Sequence, residues 1–122
     1  MAREINFWEA IRRIRAKDGR FEPDAYPFVM EALEFTLGRI GERRHVSADE
    51  LLDGFCLYGR ERLGLLAADV LESWGVKGSF DIGLAVFQLV EAGILAKRDS
   101  DRLEDFDVDY DLRRALEEKY FD

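Results

Sequence analysis

Four carboxylates near the end of the chain have the spacing of a cation-binding loop. Asp107, Asp109, Asp111 and Glu118 stand at relative positions 1, 3, 5 and 12, where an EF-hand places oxygen ligands for calcium. The match breaks at position 6, where the loop needs glycine for its sharp turn and this chain has Leu112. The preceding residues also alternate apolar and acidic, as a strand does and a helix does not. The aspartates therefore read as the wet face of a strand, where like charges protect an edge from aggregation, and no metal site is expected.

The other reactive side chains are thinly spread. His45 is the single histidine and Cys56 the single cysteine, so no tetrahedral zinc shell can be assembled from His and Cys, and any histidine-centred triad must use this one imidazole. His45, beside Arg43 and Arg44, reads as a surface residue, and Cys56 as a small core hydrophobe in a reducing compartment. Ser47 and Ser79 are expected to cap helices and not to act as nucleophiles. Gly38, Gly54, Gly64 and Gly83 are scattered through helical stretches, which suits close helix packing or helix ends better than a phosphate-binding loop. Glu31, Glu34, Asp49 and Asp53 on the central helices could serve an enzyme only by lining a concave pocket with raised pKa values. No catalytic residue, cofactor or metal ligand is expected, and the chain reads as non-enzymatic.

Charge and composition bound the partners. The 122 residues carry a net charge of -8, which repels nucleic acid and anionic membranes on average. No apolar run approaches the ~18 residues that span a bilayer, and the first residues lack the apolar core of a signal peptide, so a cytoplasmic protein without membrane contact is expected. The basic residues gather in three places: Arg12, Arg13, Arg15, Lys17 and Arg20; Arg39, Arg43 and Arg44; and Lys97, Arg98 and Arg102. Two of these supply the candidate partner-binding surfaces, Arg12, Arg13 and Arg15 on the first helix and Lys97, Arg98 and Arg102 at a hairpin turn. The aromatic residues fall mostly at core spacing, with Trp8 and Trp74 as candidate contact residues if they lie at the surface beside arginine.

Periodicity supplies the elements that must hold these residues. Asn6 caps a first helix, with Phe7, Ile11 and Ile14 on one face and arginines on the other. A second helix starts near Asp24, with Pro27 tolerated in its first turn and a broad apolar stripe through Phe28, Val29, Ala32, Leu33 and Phe35. Ser47 with Glu50 forms a capping box for a third helix that breaks or kinks near Gly59. A fourth runs from Leu63 to Gly75 and a fifth from Ser79 to Gly93. A strand at 94–97, a turn at 99–101 and a second strand at 103–111 follow, the latter placing Phe106, Val108 and Tyr110 on one face. A short amphipathic helix from Leu112 to Tyr120 closes the chain.

Helix, strand, turn and strand in that order is the tail of a winged helix. The expected fold is mainly α with a small β-hairpin, one domain over 1–122: an N-terminal helical pair at 1–45, a winged-helix-like core at 46–111 and a C-terminal short helix at 112–122. In a DNA reader the fifth helix would enter the major groove, yet it offers Asp81, Gln88 and Glu91. Two acids and an amide are electrostatically wrong for that task. A protein-interaction module is therefore the expected function, with nucleic-acid binding through the first helix and the hairpin turn as the disfavoured alternative.

The blocks 7–12 (FWEAIR), 24–35 (DAYPFVMEALEF), 70–76 (VLESWGV) and 81–95 (DIGLAVFQLVEAGIL), followed by 104–107 (EDFD), make the chain resemble a small conserved hypothetical family of Planctomycetes and Verrucomicrobia. The resemblance covers nearly the whole chain and implies a bacterial cytoplasmic protein. It carries no activity, cofactor or catalytic residue onto these positions.

Overall fold

The computed structural model describes residues 6–96 and 103–118. Six α-helices stand in it: α1 (Phe7–Lys17), α2 (Ala25–Ile40), α3 (Ala48–Leu63), α4 (Ala67–Ser73), α5 (Ser79–Glu91) and α6 (Leu112–Glu118). Short 3-10 turns at Gly64–Leu66 and Leu103–Phe106 join or precede them.

α2 is the centre. Tyr26, Phe28, Val29, Ala32, Leu33, Thr36 and Leu37 are all buried, so the helix is covered on more than one side, as its broad apolar stripe requires. Its closest neighbour is α3, and the approach depends on a missing side chain. A Cβ on Gly54 would run into Thr36 Oγ1, with Thr36 Cβ only 2.9 Å away. The Thr36 hydroxyl donates to Ala32 O at 2.7 Å, so this polar group is satisfied inside the interface. α3 begins at the expected capping box, with Glu50 N donating to Ser47 Oγ at 3.1 Å and Ser47 N to Glu50 Oε1 at 3.0 Å. It does not break at Gly59. The helix runs on to Leu63 and stops where Gly64 takes a φ of 62°.

The winged-helix reading is overturned. Among the described residues there is no strand; 94–96 lies in turn and irregular geometry after α5, and Val46 forms only an isolated bridge. The turn residues Lys97, Arg98 and Arg102 lie outside the described residues. The segment 103–111 is not a strand either, and its alternation fails at Val108, which is 46% exposed while Phe106 is fully buried. The physical reason lies in what the segment packs on. Phe106 sits in a notch on α5 where Gly83 has no side chain; a Cβ there would come within 2.5 Å of the Phe106 Cβ and Cγ. The Ser79 hydroxyl lies 2.9 Å from the Phe106 carbonyl and 3.4 Å from that of Val108, pinning the backbone to α5. The aspartates also take local bonds that compete with a ladder: Asp111 Oδ1 accepts from Arg114 N at 3.1 Å and so caps α6.

Ser79 thus differs from its expected role. It is the first residue of α5, and Asp81 caps the turn by accepting from the backbone N–H groups of Lys77 (2.9 Å) and Gly78 (3.3 Å). α6 closes the chain against α4, where Arg113 Nη2 reaches Asp69 (2.9 Å) and Glu72 (3.0 Å). No helix is long and apolar enough to cross a membrane among the described residues.

Candidate docking groove

α1 is lightly held. Only Ala10, Ile11 and Ile14 are buried, and the opposite face is charged. Asn6 Oδ1 caps its start by accepting from Glu9 N at 3.0 Å. Its end is tied by Arg15, whose Nε donates to Phe21 O at 2.8 Å. Between α1 and α5 lies a groove of about 880 Å³.

Each wall is a row at helical spacing. Asn6, Ala10, Arg13, Ile14 and Lys17 form one side, and Leu84, Phe87, Gln88, Glu91 and Ala92 the other. The apolar strip is Ala10, Ile14, Leu84 and Phe87, with Phe87 41% exposed and its ring presented to solvent. Charges sit on the rim. Arg13 pairs with Glu9 at 3.1 Å, while Lys17 and Glu91 have no ion-pair partner among the described residues.

One polar chain crosses the floor. The Tyr26 hydroxyl donates to Gln88 Oε1 at 2.7 Å, and Gln88 Nε2 lies 3.5 Å from Asp18 Oδ2 at the end of α1. Burial, with the negative charge of Asp18 adding and Arg15 opposing, pushes the Tyr26 hydroxyl up to about 12. It remains a donor at neutral pH and cannot act as a base. The chain fixes the Gln88 amide, which is only 8% exposed. Gln88 therefore faces inward, and a base-reading role for it fails on geometry.

The other candidates separate. Arg12 and Arg13 are exposed on α1, with Arg13 paired to Glu9, while Arg15 is spent on the Phe21 carbonyl and lies 4.0 Å from Glu22. In the second basic group Arg43 meets Glu34 at 3.2 Å and Arg44 meets Glu50 at 2.7 Å and Glu42 at 3.4 Å. The Arg44 guanidinium, with help from the Ser47 backbone, holds the Glu50 carboxyl down at about 2.

None of Glu31, Glu34, Asp49 and Asp53 lines the groove. Glu31 accepts from the Tyr58 hydroxyl at 2.6 Å, and Asp49 and Asp53 are exposed. No group of three or more His, Cys, Asp or Glu side chains that could hold a metal occurs among the described residues. Cys56 is buried as a free thiol, 3.2 Å from the Tyr110 hydroxyl. Trp74 is half-buried with its ring centroid 5.6 Å from that of Phe28, whereas Trp8 is 51% exposed.

The groove itself was missed from sequence. Its one local signal is the row Leu84, Phe87, Gln88, Glu91 on a helix that is apolar nearly all round. No family model, no curated protein and no solved structure matches this chain.

Proposed function

We propose that this chain is a cytoplasmic, non-enzymatic protein-interaction module that receives an amphipathic helix in the α1/α5 groove. The observation that carries this reading is the groove's section: an apolar strip of Ala10, Ile14, Leu84 and Phe87 between charged rims, about 880 Å³ in volume. Such a section suits a helix that lays an apolar stripe between two rows of polar groups. Phe87, on the groove wall, is an exposed aromatic of the type enriched at protein interfaces. The expected docking surface on α1 thus narrows from Arg12, Arg13 and Arg15 to the row that includes Arg13 and Lys17.

The basic groups offer less to phosphate than their sequence implies, since Arg13, Arg15, Arg43 and Arg44 each hold an acid or a carbonyl. The test is affinity capture from native lysate with the tagged chain and its Phe87→Asp variant, with and without nuclease. Proteins retained after nuclease by the wild type and lost with Phe87→Asp are expected. Recovery of nucleic acid by both forms, with proteins lost on nuclease treatment, overturns the reading.

A further inference from the structure

α1 and the chain that follows it are held with unequal strength, and the change falls at Asp18 and Gly19. Beyond those two residues the chain is fixed to the core. Phe21 is fully buried, with its ring centroid 6.1 Å from that of Tyr26. Glu22 N donates to Trp74 O at 3.0 Å, and Arg20 Nη1 lies 3.8 Å from Asp81. The two segments approach so closely that a Cβ on Gly75, whose φ is 96°, would stand 2.6 Å from Arg20 O. Before the joint the hold is slighter. α1 buries Ala10, Ile11 and Ile14 and is tied by Arg15 Nε to Phe21 O at 2.8 Å. After its last turn Asp18 Oδ2 lies 3.5 Å from Gln88 Nε2, which is a weak contact.

The joint itself can turn. Asp18 has left the helix, at φ -152° and ψ 104°, and its Oδ1 accepts from Arg20 N at 3.1 Å. Gly19 is exposed, and a Cβ there would meet Arg15 O at an ordinary 3.6 Å, so packing does not clamp it. We propose that α1 is a strap hinged at Asp18 and Gly19, which leaves the core as one unit and takes one wall of the groove with it, while the chain from Phe21 onward stays folded. The strap is a property of the free chain, whatever occupies the groove. An occupant that touches both walls holds it shut, because it binds the closed state alone.

Native-state hydrogen exchange of the full chain, read amide by amide by NMR, tests this. The amides from Ile11 to Asp18 are expected to share one opening, with protection at least about tenfold below that of Leu33 and Leu52 in α2 and α3. Glu22 N should be protected with the core, and not with Asp18 N, which bonds Ile14 O at 2.9 Å. Two variants separate this opening from unfolding of the whole. Thr36→Ala weakens the α2/α3 contact, which the open state keeps, so protection in α2 and α3 should fall about fivefold while that of α1 is unchanged. Arg15→Gln weakens the closed state relative to the open and the unfolded states alike, so protection should fall about fivefold in both places. Protection of α1 equal to that of α2, or lowered by Thr36→Ala, overturns the strap, since the helix then opens only with the whole fold. So does a gradient along α1 in which Asp18 N shares the protection of the core, which is fraying from the first turn. The docking reading stands or falls separately, on capture through Phe87.

Discussion

The contact between α2 and α3 can be tested where it is tightest. Gly54→Ala adds one methyl that must occupy the space of Thr36 Oγ1, with Thr36 Cβ at 2.9 Å and Cγ2 at 3.2 Å. Two effects oppose each other. Replacing glycine by alanine inside a helix favours folding by about 1 kcal/mol. Forcing a methyl into a filled contact costs roughly 1–3 kcal/mol, and here the obstacle cannot swing aside. Thr36 is β-branched, buried and hydrogen-bonded to Ala32 O at 2.7 Å. The clash wins, and Gly54→Ala should destabilise by about 1–2 kcal/mol. Thr36→Ala alone removes the hydroxyl and the methyl at a cost of about 1 kcal/mol. In the double variant the new methyl fills that vacancy, and the pair should couple by roughly 2 kcal/mol in the stabilising direction. Urea unfolding followed by far-ultraviolet circular dichroism, with unchanged m values, gives all four stabilities. A Gly54→Ala protein at least as stable as the wild type, or two costs that simply add, would refute close packing as the reason for this glycine.

Two further predictions concern the ends of helices. Ser79→Ala strips the donor from the Phe106 and Val108 carbonyls and should cost about 1–3 kcal/mol; hydrogen exchange at Asp107 N, which bonds Glu104 O at 3.1 Å, should accelerate, and unchanged exchange there would separate Ser79 from the docking of this segment. For Glu50, whose carboxyl is held near 2 against an ordinary value of 4.5, the folded state favours the charged form, so its contribution is present above about 4.5 and is lost as pH falls towards about 2. The urea midpoints of wild type and Glu50→Gln should accordingly differ most near neutrality and converge across that window, and a gap constant with pH would contradict the Arg44 contact.

How far the sequence could be read depended on the range of each contact. Asn6 with Glu9 and Ser47 with Glu50 are three residues apart, so the caps of α1 and α3 were visible in the spacing alone. The breadth of the apolar stripe likewise marked α2 as central. The second strand was misread because alternating Asp with Phe, Val and Tyr has the period of a strand, although aspartate favours turns and caps over ladders. What decided the matter was Gly83, which opens α5 to Phe106, and Ser79, whose acceptor lies 27 residues on. Neither contact has a local signature. Gln88 was misplaced for the same reason, since the Tyr26 hydroxyl that turns it inward comes from 62 residues away.

The position of α1 ties these observations to function. An isolated helix of eleven residues is marginal in water, so α1 depends on what the body of the protein gives it. That support is narrow: three buried side chains, the Arg15 bond to Phe21 O, and the Tyr26–Gln88–Asp18 chain beyond its last turn. A fuller packing of α1 on α5 would remove the groove, and a looser one would leave nothing to hold its walls apart at a fixed spacing. The buried polar chain resolves the conflict. Tyr26 comes from the central helix α2 and is fully buried, so Gln88 is oriented by the core, and its amide meets the chain just after α1 ends. A partner helix laid between α1 and α5 would add apolar contact to both walls, and the gain falls chiefly on α1, which has least of its own. Recognition and the ordering of α1 are therefore coupled through one structural element.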